Sequence, residues 1–91
     1  MSKQDGWRYQ AVYVERNIEE NEKSLEFSIC EVYLDKDGKL EMWTEDSKMS
    51  PFGNSIDELT NDLQFMINDV QKWKPVPFNS LQVGMDFKRT E

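Results

Sequence analysis

Alternating apolar and polar positions in the first half of the chain predict three β-strands. Residues 7–16 (WRYQAVYVER), 25–34 (LEFSICEVYL) and 39–45 (KLEMWTE) are rich in aromatic and β-branched side chains and alternate in part. This is the pattern of strands that bury one face. The polar stretch 17–24, NIEENEKS, predicts a loop, and 46–54, DSKMSPFGN, predicts a second loop because it combines Pro, Gly and Ser.

The second half of the chain begins with the pattern of an amphipathic helix over about 56–72. Apolar side chains recur there at spacings of three and four, on one helical stripe: Ile56, Leu59, Leu63, Met66, Ile67 and Val70. Ser55 and Glu58 fit a capping box, in which Ser55 accepts from a backbone N–H and Glu58 reaches back to the cap residue. Pro75 and Pro77 cannot continue the helix. Residues 75–91 are expected to form an extended tail that docks on the core.

The stretch Asp-Lys-Asp-Gly at 35–38 has two interpretations, a calcium loop and a hairpin turn. With Gly38 at position 6 of an EF-hand loop, Tyr33 falls at position 1 and Thr44 at position 12, where acids are needed. A type I turn followed by a glycine with positive φ fits the sequence better. The stretch is therefore expected to be a turn, and no metal site is predicted.

A three-residue loop at 36–38 fixes the pairing of the second and third strands, with Leu34 opposite Leu40 and Glu31 opposite Trp43. One face of this pair is then almost entirely apolar: Cys30, Val32, Leu34, Leu40 and Met42. The other face mixes acids with large side chains: Ile29, Glu31, Tyr33, Glu41, Trp43 and Glu45. The helix is expected to cover the apolar face. The predicted fold is α+β, a three-stranded antiparallel β-meander with one C-terminal amphipathic helix packed on one face.

The length predicts a single domain over 1–91 with a small core. Its net charge of −7 is unevenly placed, because eleven acids and four bases lie between Glu15 and Asp46 while the remaining seven acids and seven bases cancel. This acidic segment (15–46) repels nucleic acid and anionic membrane and attracts basic proteins. An acidic surface that serves only solubility is the alternative.

The candidate partner-binding residues are Glu31, Tyr33, Glu41, Trp43 and Glu45, which share the acidic and aromatic face. Aromatic anchors ringed by acids suit a basic protein partner. Two alternatives stay open: an ordinary solvated sheet face, and a swapped arrangement in which Tyr33 and Trp43 lie in the core.

The residue inventory does not favour catalysis. The chain has no histidine, the commonest general base and zinc ligand. Cys30 is the one cysteine and lies in the middle of a predicted strand, which is typical of a core position. No phosphate-binding loop appears, and no cofactor is expected. No apolar run resembles a secretory signal or a membrane span, so a cytoplasmic protein is expected.

The stretch Gly53-Asn54-Ser55-Ile56-Asp57-Glu58-Leu59 follows the predicted strands and opens the helix. This order resembles HicB-type antitoxins, in which a partial ribonuclease-H-like meander leads into a similarly opened helix. The chain has no counterpart of the HicB DNA-binding tail. It also resembles small uncharacterised bacterial and phage proteins that carry EVY-x-D-x-DG, which here is 31–38.

These observations lead to two hypotheses of function. The first is a non-enzymatic interaction module that binds a basic protein partner, as an antitoxin or a phage-encoded inhibitor does. The alternative is a homodimeric structural or assembly subunit that uses the aromatic sheet face.

Overall fold

A computed structural model describes residues 6–44 and 50–90, with Ile18 described by its backbone alone. In chain order the elements are β1 (Trp7–Glu19), β2 (Glu22–Leu34), β3 (Leu40–Trp43), α1 (Ile56–Lys72) and β4 (Val76–Pro77), followed by a 3-10 turn (Phe78–Ser80). The three predicted strands and the helix are all present, and α1 has the predicted bounds. The fold class is therefore α+β, with one helix and one sheet.

The sheet has four strands in the order β3-β2-β1-β4, which differs from the predicted three-stranded meander. β2 pairs antiparallel with β1 on one side and with β3 on the other, whereas β4 pairs in parallel with β1 at Val12 and Tyr13. β4 has only two residues, one of them Pro77. Proline lacks a backbone N–H and is tolerated at a sheet edge, which is where β4 lies. A strand so short leaves no periodic pattern in the sequence.

The predicted loop at 17–24 is mostly strand. β1 and β2 stay paired as far as Glu19 and Glu22, so that only Glu20 and Asn21 form the turn. Asn21 has φ of 69°, a left-handed conformation that asparagine tolerates better than most residues. The polar composition of this stretch reflects a ribbon exposed on both faces.

The turn at 35–38 has the predicted hairpin form. Gly38 has φ of 79°, and its N–H donates to the carbonyl of Asp35 at 3.0 Å. One carboxylate oxygen of Asp35 accepts from the N–H groups of Asp37 and Lys39, at 2.9 and 3.0 Å. The Asp35 carboxylate therefore stabilises the turn itself.

The predicted register of β2 and β3 is wrong beyond the first pair. Leu34 pairs with Leu40 as expected, but Tyr33 pairs with Met42 and Val32 with Trp43. Glu41 is the extra residue of a β-bulge, and one extra residue moves every later side chain to the opposite face. A bulge of this kind leaves no pattern in the sequence.

The helix does not cover the face that was predicted for it. The core consists of Val12, Cys30, Val32, Leu40 and Leu81, and the partly buried side chains around it include Val76, Phe78, Met85 and Phe87. Five of these nine residues belong to the tail: Val76, Phe78, Leu81, Met85 and Phe87. Backbone bonds fix the tail there, including Leu40 N–H to the Met85 carbonyl at 2.9 Å and Gly84 N–H to the Leu40 carbonyl at 2.7 Å. The C-terminal tail therefore provides one layer of the core.

The helix lies on the other face of the sheet, over β1. Two of its contacts there are polar: the Tyr9 hydroxyl donates to Asp62, and the Tyr9 N–H donates to Asp69 at 3.0 Å. Met66 is the apolar helix residue that becomes fully buried. The molecule consequently has three layers, the tail, the sheet and the helix.

Ser55 caps the helix as predicted, accepting from the Glu58 N–H at 3.1 Å. Glu58 reaches back one residue further than the capping box requires, to the Asn54 N–H at 3.3 Å. Two acids in the first turn and Lys72 in the last turn suit the helix dipole.

Candidate functional site

Glu31 and Tyr33, two of the predicted partner-binding residues, lie together on the helix side of the sheet. The Tyr33 hydroxyl donates to a Glu31 carboxylate oxygen at 3.0 Å. This hydrogen bond, followed by partial burial, raises the pKa of Tyr33 above its ordinary value. The pair presents a fixed carboxylate beside a large ring at a half-buried position.

The other predicted residues do not join that pair. Trp43 pairs with Val32 and packs half-buried against the core on the tail side of the sheet. Met42, which is 60% exposed, takes the position opposite Tyr33. Glu41 is exposed at the bulge, and Glu45 falls outside the described residues. The predicted face with both aromatic rings is therefore not formed.

The most acidic feature of the fold is the end of the β1–β2 ribbon that carries the turn at Glu20 and Asn21. β4 pairs with β1 at Val12 and Tyr13, and β3 pairs with β2 at Val32–Leu34. No described strand pairs with the outer edges of the ribbon over 15–26, which we call the acidic arm. At about 3.3 Å per residue, six residues of strand give it a length of about 20 Å.

Five glutamates and two bases lie in the acidic arm. Each base is held by a glutamate on the neighbouring strand: Arg16 lies 2.9 Å from Glu26, and Lys23 lies 2.8 Å from Glu15. The remaining glutamates, at the tip of the arm, are all exposed: Glu19, Glu20 and Glu22. The unbalanced charge of the arm, −3, is thus concentrated at its end.

Sequence reasoning missed a long apolar groove between α1 and β2. One part, of about 430 Å³, is lined by residues that include Ile29, Leu63, Ile67 and Val70. An adjoining part of about 370 Å³ shares Ile29 and Val70 and reaches Phe27. The sequence did contain a signal, since these helix residues belong to the predicted stripe. The stripe was assigned wholly to the core, yet Leu63 and Ile67 remain 42% and 50% exposed.

The polar contacts that hold the helix form one buried cluster. Asp62 accepts from the Tyr9 hydroxyl with one oxygen and from the Phe52 N–H, at 2.8 Å, with the other. Burial, and then the hydrogen bond to Asp62, raises the pKa of Tyr9. Asp62 and Tyr9 are each only 5% exposed, so this carboxylate serves structure and does not face solvent.

The buried guanidinium of Arg8 contacts the tail on the side of the sheet opposite to α1. Arg8 lies between the rings of Trp73 and Phe87, 4.1 and 4.6 Å from their centroids, and donates to Gln10. The Gln10 amide donates to the Lys74 carbonyl at 2.8 Å. Burial lowers the pKa of Arg8 to about 10, while Asp69 opposes this shift. The group remains a cation at neutral pH.

Cys30 is fully buried in the core beneath the tail. Burial raises the pKa of its thiol to about 11, although the nearby Arg8 opposes the shift. A thiol in this environment is not activated as a nucleophile, because the thiolate is the reactive form.

Within residues 6–44 and 50–90, no three histidine, cysteine or acidic side chains come together in a way that could hold a metal ion. The single helix of this part of the chain is too short and too polar to cross a bilayer. Comparison with protein-family models, with curated proteins and with solved structures gave no match. The function is therefore argued from the geometry of the chain itself.

Proposed function

We propose that this protein is a non-enzymatic interaction module that binds a basic protein, in the manner of an antitoxin or a small inhibitor. The observation that carries the proposal is the separation of charge on the fold. The acidic arm ends in Glu19, Glu20 and Glu22, whereas the exposed surface of α1 between Leu59 and Gln71 has no charged side chain.

The arm suits a basic partner for reasons of electrostatics and shape. Its tip projects from the layered body, so that a basic cleft or groove can enclose it from both faces. Exposed like charges raise the rate of encounter with an oppositely charged protein, and salt weakens this effect. At the base of the ribbon, Glu31 and Tyr33 offer an acid and a ring on one face, a combination that suits an arginine of the partner.

A retrieval experiment tests the proposal. The tagged chain is incubated at low salt with a lysate of the organism that encodes it, and bound proteins are eluted with a salt gradient. We expect a basic protein to be enriched and then to bind the purified chain directly. The variant E19Q/E20Q/E22Q should lose most of this affinity, because long-range attraction scales with the charge at the tip.

The matched control is N79K/Q82K/V83K, which changes the net charge by the same three units at exposed tail positions. If net charge alone matters, both triple variants weaken binding equally. If the arm is the contact, only the glutamine variant does so. Retrieval of no basic partner, or equal effects of the two variants, contradicts the proposal.

The alternative, a homodimeric structural subunit, was predicted to use Tyr33 and Trp43 on one shared face. The observed register places these two rings on opposite sides of the sheet, so they do not share one face.

A further inference from the structure

The outer edge of β2, on the side of this strand away from β1, has backbone groups without a strand partner. The Glu31 N–H donates across this edge to the Thr44 hydroxyl at 3.2 Å, and the Glu31 carbonyl accepts from the Thr44 N–H at 3.1 Å. The β1–β2 register is unbroken as far as Lys23, so every second residue of β2 repeats the orientation of Glu31. The N–H and carbonyl groups of Phe27, Leu25 and Lys23 therefore point outward. Within residues 6–44 and 50–90 no strand pairs with these groups, which we call the open edge.

The open edge lacks the features that usually keep an edge strand from pairing. Such features are a proline, a β-bulge or lysines along the edge. The stretch 24–29, SLEFSI, contains none of them, and its single charged side chain, Glu26, holds Arg16 at 2.9 Å. The outer edge of β1 differs, because β4 covers part of it and its register shifts between Asn17 and Glu19. β2 consequently provides the edge that can accept an added strand.

The two faces of the sheet beside the open edge differ in chemistry. On the helix side, Leu25 and Phe27 are 49% and 58% exposed, and Phe27 also lines the groove beside α1. The alternate positions, on the tail side, are polar: Glu22, Ser24, Glu26 and Ser28. A strand added here meets apolar side chains on one face and acids and hydroxyls on the other.

We propose that the open edge binds an extended segment of the basic partner as a fifth strand of the sheet. Backbone hydrogen bonds to Lys23, Leu25 and Phe27 hold the segment, as in other complexes formed by strand addition. The segment alternates apolar side chains, which pack on Leu25 and Phe27, with lysines or arginines, which face Glu22 and Glu26. This inference rests on the proposed function, because it describes how the acidic arm engages its partner.

Charge selects a basic segment over a second copy of the chain. The acidic arm has five glutamates and two bases, so a basic segment is attracted to it. A second copy brings its own acidic arm and a net charge of −7, which opposes edge-to-edge pairing. Opposite charges on neighbouring strands stabilise a sheet, and like charges directly opposite each other destabilise it.

A synthetic peptide tests the open edge without the natural partner. The probe has about seven residues, alternates lysine and valine, and is titrated into the isotope-labelled full chain. At saturation the NMR signals of the Leu25 and Phe27 amides should shift, and hydrogen exchange at both should slow at least about tenfold. The Ser24 and Glu26 amides face β1 and pair there, so their exchange is the internal control and should change much less. Unchanged exchange at Leu25 and Phe27 overturns the proposal.

Two N-methylated forms of the peptide test the backbone bonds directly. The lysine and valine N–H groups of an extended peptide point to opposite edges, so methylating either set blocks one edge alone. One methylated form should bind like the parent peptide, and the other should bind at least about tenfold more weakly. The side chains are the same in both forms, so equal affinity of the two overturns the proposal.

The matched protein variants are Leu25→Pro and Leu25→Ala. Both remove the leucine side chain, but only proline removes the outward N–H, and the hydrogen bonds to β1 stay complete in each. Leu25→Pro should bind the parent peptide at least about tenfold more weakly than Leu25→Ala does. Far-UV circular dichroism verifies that both variants fold. Equal affinity overturns the proposal, and so does a stable wild-type dimer in sedimentation equilibrium that Leu25→Pro dissociates, because the edge would then belong to a second copy.

Failure of this proposal and failure of the proposed function give different results. A retrieved basic protein that binds Leu25→Pro and Leu25→Ala equally, yet binds E19Q/E20Q/E22Q weakly, supports the proposed function and overturns strand addition. A peptide that behaves as expected in all three tests, when no basic protein is retrieved, overturns the proposed function and leaves the open edge as a strand-binding site.

Discussion

The carboxylate of Asp62 should be one of the largest single contributors to stability. It accepts from the Tyr9 hydroxyl and from the Phe52 N–H, and it is 5% exposed. Asp62→Ala removes both bonds, and it leaves the buried Tyr9 hydroxyl and the partly buried Phe52 N–H without this acceptor. A hydrogen bond to a charged group contributes about 1.5–3 kcal/mol, so we expect a loss of about 3–5 kcal/mol. For a chain of this size that lowers Tm by about 15–30 °C.

Urea denaturation of four proteins gives the measurement: wild type, Tyr9→Phe, Asp62→Ala and the double variant. Tyr9→Phe should cost about 2 kcal/mol, because it removes one of the two bonds. The double variant should be less destabilised than the sum of the singles by about 1.5–3 kcal/mol, since both singles break the same bond. Asp57→Ala, at an exposed position of the first helical turn, is the control and should cost under about 1 kcal/mol.

Two results would refute this reasoning. A coupling energy below about 0.5 kcal/mol would mean that the hydroxyl and the carboxylate do not interact in solution. A loss for Asp62→Ala as small as that for Asp57→Ala would mean that α1 is not anchored to β1 through this carboxylate.

Three further predictions concern other parts of the fold. Gly53→Ala should destabilise the chain by about 1–3 kcal/mol in urea, because an added Cβ would lie 2.3 Å from the Leu59 nitrogen; a neutral result would contradict that close approach. Cys30 should react with a thiol reagent at neutral pH only upon unfolding, since it is buried and the pKa of its thiol is raised to about 11; rapid labelling would show that the tail opens. Folding raises the pKa of Tyr9, so the stability that this shift contributes is present below about pH 10 and is lost as the pH rises further. Above that pH, Tyr9→Phe should lose less urea resistance than the wild type does. Identical pH profiles of urea resistance for the two proteins would contradict the assignment.

Local patterns predicted the parts of the fold that depend on neighbouring residues. The bounds of α1 followed from the Ser55 cap and from Pro75, and the turn at Gly38 followed from the need for positive φ. These features are encoded within a few positions of the chain, so one sequence suffices to find them.

Features that depend on tertiary contacts could not be predicted in this way. The bulge at Glu41 reversed the side of Trp43, and nothing in the local composition marks it. The tail displaced the helix from the apolar face because its loosely spaced apolar residues, such as Leu81 and Met85, pack there. The periodic stripe of α1 predicted an apolar face correctly, but periodicity cannot tell a core face from an exposed groove.

The central claim is that the charge of the acidic arm directs this protein to a basic partner. The most direct measurement is the affinity of the retrieved partner for the wild type and for E19Q/E20Q/E22Q, over a salt range from about 50 to 500 mM. We expect the wild-type affinity to fall steeply with salt, and the variant to bind weakly with a much flatter dependence. Identical salt dependence for the two proteins would contradict the claim.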